Sequence, residues 1–153
     1  MTVLGTSTGP SLAETLAMPG SSAPVLNCGA EEVMTCGVVA LPVTASLKQA
    51  ARAMDTHHVH GVLVVSCEGK PCGWVTAEHI AEHVGDDHLL EWALDAIGES
   101  FVAVGPSASV REVVAQLRQP EVSRVAVQKR PGLIPHGVIS HLDIAAAMGR
   151  RGS

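Results

Sequence analysis

The string His79-Ile80-Ala81-Glu82-His83 sets two imidazoles and a carboxylate within five residues. The spacing H-x-x-E-H is one that binds zinc in metal-dependent hydrolases. Such a site needs a third protein ligand and an open metal position for water. No downstream motif supplies that ligand, and with eight histidines in the chain the string arises easily. His57, His58 and His60 raise a similar question. They read as polar loop residues, as an anion-binding or pH-responsive group near the ordinary imidazole pKa of ~6.5, or as transition-metal ligands.

A second constellation is Ser140 and Asp143, within Gly137-Val138-Ile139-Ser140-His141-Leu142-Asp143. A hydroxyl where a strand enters a helix lies beside unsatisfied N–H groups and the positive end of the helix dipole, which suits phosphate. A carboxylate three residues on can accept from both hydroxyls of a ribose. Glycine before the strand permits close approach of backbone or ligand.

These residues sit in a chain of 153, with 46% hydrophobic and 16% charged residues and a formal charge of −5. That composition builds a core, and no run of Lys or Arg offers a nucleic-acid footprint. No apolar run approaches the ~20 residues that span a bilayer. The first cation is Lys48, so the N-terminus lacks the charged n-region of a signal peptide. A cytoplasmic protein is expected, with Cys28, Cys36, Cys67 and Cys72 as free thiols. Trp74 and Trp92 read as packing residues, with no cations between them.

The elements that must carry these groups are written twice. Val38–Leu47, VVALPVTASL, matches Phe101–Val110, FVAVGPSASV, at an offset of 63. Each reads as a short strand, a Pro-containing turn and a hydroxyl at a helix start, Thr44 and Ser107. The helices carry Leu47, Ala50, Ala51 and Met54, then Val110, Val113, Val114 and Leu117, at i, i+3, i+4 and i+7. Two strands and a closing helix follow in each half: 61–66, 72–76 and 77–84, then 122–128, 136–140 and 141–148. On the first closing helix Ile80, Ala81 and Val84 should be buried, and Glu78, Glu82 and His83 outward. Short helices are also expected over 11–18, and over 89–98 with Leu90, Leu94 and Ile97 apolar. The fold class is α/β (α+β), two β-α-β-β-α repeats packed with pseudo-two-fold symmetry. The organisation is a flexible arm over 1–29, repeats over 30–88 and 89–149, and a tail over 150–153. Neither repeat buries a sufficient core alone.

The duplicated pattern, with EEVMT before the first strand, PVTASLKQAARAM and GVISHLD, resembles the tandem cystathionine-β-synthase (CBS) domain pair, or Bateman module. The resemblance covers about 30–149. That family's adenosyl-ligand motif, G-h-x-[ST]-x-x-D with h apolar, is intact over Gly137–Asp143. In the first half it runs from Gly73 through Thr76 to His79, with His in place of Asp, so the opening string becomes a worn ribose-binding turn. The resemblance implies that Ser140 faces phosphate and Asp143 ribose, with Gly137 and His141 beside them. It also implies that Phe101, Val102, Ser123, Arg124 and Val125 enclose the base. Thr76 with His79 would form a degenerate first site.

The reading that follows is a non-enzymatic sensor with no required cofactor. It would bind AMP, ADP, ATP, NAD or S-adenosylmethionine, form a homodimer and signal to an effector protein, with no nucleic-acid or membrane partner. A ligand-free scaffolding protein is the alternative. A small metal-dependent hydrolase using His79, Glu82 and His83 is the remote one.

Overall fold

Two four-stranded sheets carry the molecule, and each is assembled from both repeats. The structure is a computed structural model and describes residues 23–82 and 97–151. In the first repeat β2 (Ala40–Pro42) leads into α3 (Leu47–His57), then the hairpin β3 (Gly61–Val65) and β4 (Pro71–Thr76), then α4 (Ala77–Glu82). In the second, β6 (Ala103–Val104), α5 (Val110–Leu117), β7 (Arg124–Val127), β8 (Gly137–Ser140) and α6 (His141–Arg151) keep that order. The first strand of each repeat runs parallel to the second, which pairs antiparallel with the third. The β-α-β-β-α pattern is therefore present twice.

What precedes each repeat joins the other one. Helices α1 (Ala23–Leu26) and α2 (Ala30–Val33) lead to β1 (Thr35–Cys36), which pairs with β8. Strand β5 (Glu99–Ser100) pairs with β4. The sheet orders are β1-β8-β7-β6 and β2-β3-β4-β5. The repeat boundaries drawn at 30–88 and 89–149 thus cut across both sheets. Residues 23–29, assigned in sequence to a flexible arm, are packed. Val25 (1% exposed) and Cys28 join Ala30 and Val33 in the second repeat's core. Backbone bonds from Ala30 N to Ala108 O and from Val110 N to Cys28 O fasten the segment.

Alternation along the strands makes three cores. Val62, Val64 and Val75 face α3 together with Leu47, Ala50 and Met54. Val125, Val127 and Ile139 face α5 and α6 together with Val110, Val113 and Leu117. The other strand faces meet each other: Leu63, Trp74 and Ala126 are buried between the sheets, flanked by Phe101 and Val138. Both helical stripes are buried as their spacing requires.

Three local expectations need correction. The helix caps are Ser46 and Ser109, two residues beyond Thr44 and Ser107. Ser46 Oγ accepts from Gln49 N at 3.1 Å and Ser109 Oγ from Glu112 N at 3.3 Å. Ser46 gains a reciprocal bond, its N donating to Gln49 Oε1 at 2.7 Å, and so outcompetes the earlier hydroxyl. Ala81 is exposed, because α4 packs through Ile80 and buries no residue fully. Ile97 lies outside any helix and packs over Gly73, where a Cβ would meet its Cγ2 at 2.6 Å. The helix expected over 11–18, most of that over 89–98, and Val84 and Trp92 lie outside the described residues.

Candidate functional site

The β8–α6 corner is built around one carboxylate. Ser140 ends β8, and its N and Oγ both donate to Asp143 Oδ2, at 2.8 and 3.1 Å. The other oxygen, Oδ1, accepts from Thr35 Oγ1 at 2.6 Å. Thr35 reaches it because β1 lies beside β8, with Thr35 opposite Val138. That approach needs Gly137: a Cβ there would overlap Met34 Sδ and stand 3.0 Å from Thr35 O. An ionised carboxylate offers about four acceptor positions. Three are engaged by the chain itself, and the group stays at the surface, where a ligand hydroxyl can join or replace Thr35.

The matching corner at β4–α4 is poorer. Thr76 Oγ1 accepts from His79 N at 3.2 Å, which caps the helix. The His79 ring lies against Gly98, where a Cβ would overlap Nδ1. No carboxylate stands at that helical position, since His79 replaces Asp.

A second polar group lies where the two sheets meet. Ser123 N and Oγ both donate to Glu99, at 3.1 Å to Oε2 and 2.6 Å to Oε1. Arg124 Nε donates to Ser123 Oγ at 3.2 Å. The guanidinium sits 5.4 Å from the Trp74 ring centroid, a cation–π distance. It also lies over Gly61, whose missing Cβ makes the room. Burial lowers the Arg124 pKa from its ordinary value, while the Glu99 and then the Glu78 carboxylate raise it. Trp74 stacks on Phe101 with centroids 6.4 Å apart, and its buried Nε1 has no hydrogen-bond partner among the described residues.

The residues singled out in sequence therefore divide. Ser140, Asp143 and Gly137 come together, with His141 exposed beside them. Ser123 and Arg124 instead join Glu99 and Trp74, across the seam in the first repeat's sheet. Phe101 lies between the sheets and Val102 packs on the second repeat's core. Val125 is corrected as a ligand contact: it is fully buried, because alternation turns it toward the helices. Thr35 and Glu99 were missed. They hold equivalent register positions, opposite Val138 and Trp74, and the only sequence signal is their offset of 64.

His58, a left-handed helix cap (φ 55°, ψ 45°), and His60 line a cavity of about 450 Å³ between α3 and α4, with Asp55, Met54 and Ile80. Among the described residues no three His, Cys, Asp or Glu side chains converge on a metal-sized space. His83 lies outside them, so the H-x-x-E-H string is described only through Glu82. No disulfide joins the four cysteines, and Cys28 Sγ donates to Pro24 O at 3.1 Å. No helix among the described residues is long and apolar enough to cross a membrane.

Residues 30–86 match the family model described as the CBS domain. These residues are a CBS domain, in a chain with the CBS-pair fold. No protein of curated function matches significantly. The CBS domain of a bacterial CNNM/CorC family Mg2+ transporter in complex with ATP is similar at TM-score 0.72 and 17% identity, covering 92% of this chain and 98% of that one. A CBS domain protein from Pyrobaculum aerophilum complexed with AMP is similar at TM-score 0.68 and 20% identity, covering 80% and 98%. Hypoxic Response Protein I with two coordinated zinc ions is similar at TM-score 0.63 and 21% identity, covering 77% and 97%. At these identities the likeness is one of fold. It shows the two repeats of this chain in the arrangement of a CBS pair.

Proposed function

We propose that this CBS-pair protein is a non-enzymatic regulatory module that takes an adenosyl nucleotide at the β8–α6 corner. The observation that carries the reading is the Asp143 carboxylate. Two bonds from Ser140 fix its position, and its second oxygen meets the exposed hydroxyl of Thr35. A ribose hydroxyl has the same donor chemistry as Thr35 and can take that place. The Ser140 hydroxyl and the first turn of α6, an eleven-residue helix, suit the phosphate. Similar folds holding ATP and AMP support the ligand class.

Binding between elements of two repeats favours one relative arrangement of the sheets by its differential affinity. An effector protein reading that arrangement, a homodimeric assembly and a cytoplasmic setting complete the proposal. The test is calorimetric titration with AMP, ATP, NAD and S-adenosylmethionine. Saturable binding of one of them supports the reading. Absence of binding by all four leaves the scaffolding alternative in its place.

A further inference from the structure

The seam between the sheets holds an arrangement that nucleotide binding at Asp143 does not use. A carboxylate, Glu99, is gripped by a backbone N–H and a hydroxyl of one residue, Ser123, beside the Arg124 guanidinium. Two donors closing on two oxygens, with a guanidinium held next to them through Ser123 Oγ, is the chemistry of an anion site. Here the anion is part of the chain.

The register shows why this matters for one half only. Position 99 stands opposite Trp74 on β4, as Thr35 stands opposite Val138 on β8. One half therefore presents a neutral hydroxyl at this edge and the other a carboxylate. The cation is likewise single. Gly61 lies 63 positions before Arg124 and has no side chain, so the guanidinium occupies the space that both repeats share. Among the described residues the only hydrogen bond from Arg124 is Nε to Ser123 Oγ, so its two terminal nitrogens are unspent. Glu78 is the other carboxylate acting on it.

We infer that Glu99 is a specificity-determining residue that plugs an anion site at Ser123 and Arg124, closing the first-repeat cleft to phosphate-bearing ligands and leaving the chain one nucleotide per protomer. The one-nucleotide count rests on the proposed function. The plugged anion site does not.

The experiment separates the two. Wild type, Glu99→Ala and Glu99→Ala/Arg124→Met are melted in inorganic phosphate and in chloride at matched ionic strength. Glu99→Ala should melt several degrees below wild type in chloride and regain much of that loss in phosphate. Wild type and the double variant should show only the smaller gain, equal in both, that phosphate at the Ser140 corner supplies. Equal responses to phosphate in all three proteins, or no recovery in Glu99→Ala, overturn the inference. Should Glu99→Ala fail to fold, Glu99→Thr copies the residue at the equivalent edge and is titrated calorimetrically with phosphate. No binding heat there beyond that of wild type is equally fatal. A second titration compares AMP stoichiometry in wild type and Glu99→Ala, expected to rise from one to two per protomer. Failure of wild type to bind AMP, ATP, NAD and S-adenosylmethionine alike would sink the proposed function and leave the phosphate result standing.

Discussion

The hydroxyl of Thr35 donates to Oδ1 of Asp143 at 2.6 Å, joining residues 108 apart in sequence. The first repeat's leading strand thus supplies part of the second repeat's β8–α6 corner. The carboxylate is held in place before any ligand arrives, which limits the ordering cost of binding.

Asp143 and His79 should behave oppositely. Removing a charge-assisted hydrogen bond costs about 1.5–3 kcal/mol, or roughly ten- to a hundred-fold in affinity. Asp143→Ala should lose that much AMP or ATP affinity in calorimetric titration, while His79→Ala stays at the wild-type value. The reverse pattern would place the working site at the β4–α4 corner.

Thr35→Val should separate stability from binding. The variant loses one hydrogen bond at an exposed position, about 0.5–1.5 kcal/mol in chemical denaturation. The ligand hydroxyl then has no internal competitor for Oδ1, and nucleotide should bind more tightly than to wild type. Weaker binding would mean that Thr35 contacts the ligand directly.

Helix caps give a test that is independent of any ligand. Ser46→Ala and Ser109→Ala should each cost about 1 kcal/mol. Thr44→Ala and Ser107→Ala should cost almost nothing, since other residues cap these helices. Urea midpoints of the four variants decide the matter.

Val25 tests the packing of the N-terminal segment. Its side chain is 1% exposed in the second repeat's core. Val25→Ala should lower stability by roughly 1–3 kcal/mol, from lost burial and the cavity left behind. A change near zero in the melting temperature would return residues 23–29 to the status of a loose arm.

The parts legible in sequence were those governed by local periodicity. Leu47, Ala50 and Met54, and their partners Val110, Val113 and Leu117, repeat at helical spacing because each helix covers one sheet face. That Ser140 and Asp143 lie side by side follows from their spacing, three residues apart on one turn. Thr35 and Glu99 were not. Their roles depend on which sheet edge a two-residue strand joins, and hydrophobic pattern does not encode that. The contact of Arg124 with Trp74 was not legible either, because it crosses from one repeat's sheet to the other's. Gly61 settles the direction by leaving space on one side. The cap shift from Thr44 to Ser46 turned on Gln49, three residues beyond the better hydroxyl.

The exchange of edge strands also shapes how the chain is made. Synthesis delivers β1 early, but its partner β8 comes after the rest of both sheets. In the interval β1 has no ladder to join, and the edge of β4 stays bare until β5 arrives. Unpaired edges are templates for pairing with another chain. Contacts this distant in sequence also slow folding, because a long loop must close before they form. A stalled or truncated nascent chain lacking β8 would therefore expose a strand and an apolar helix pair together, and would be a ready substrate for chaperones.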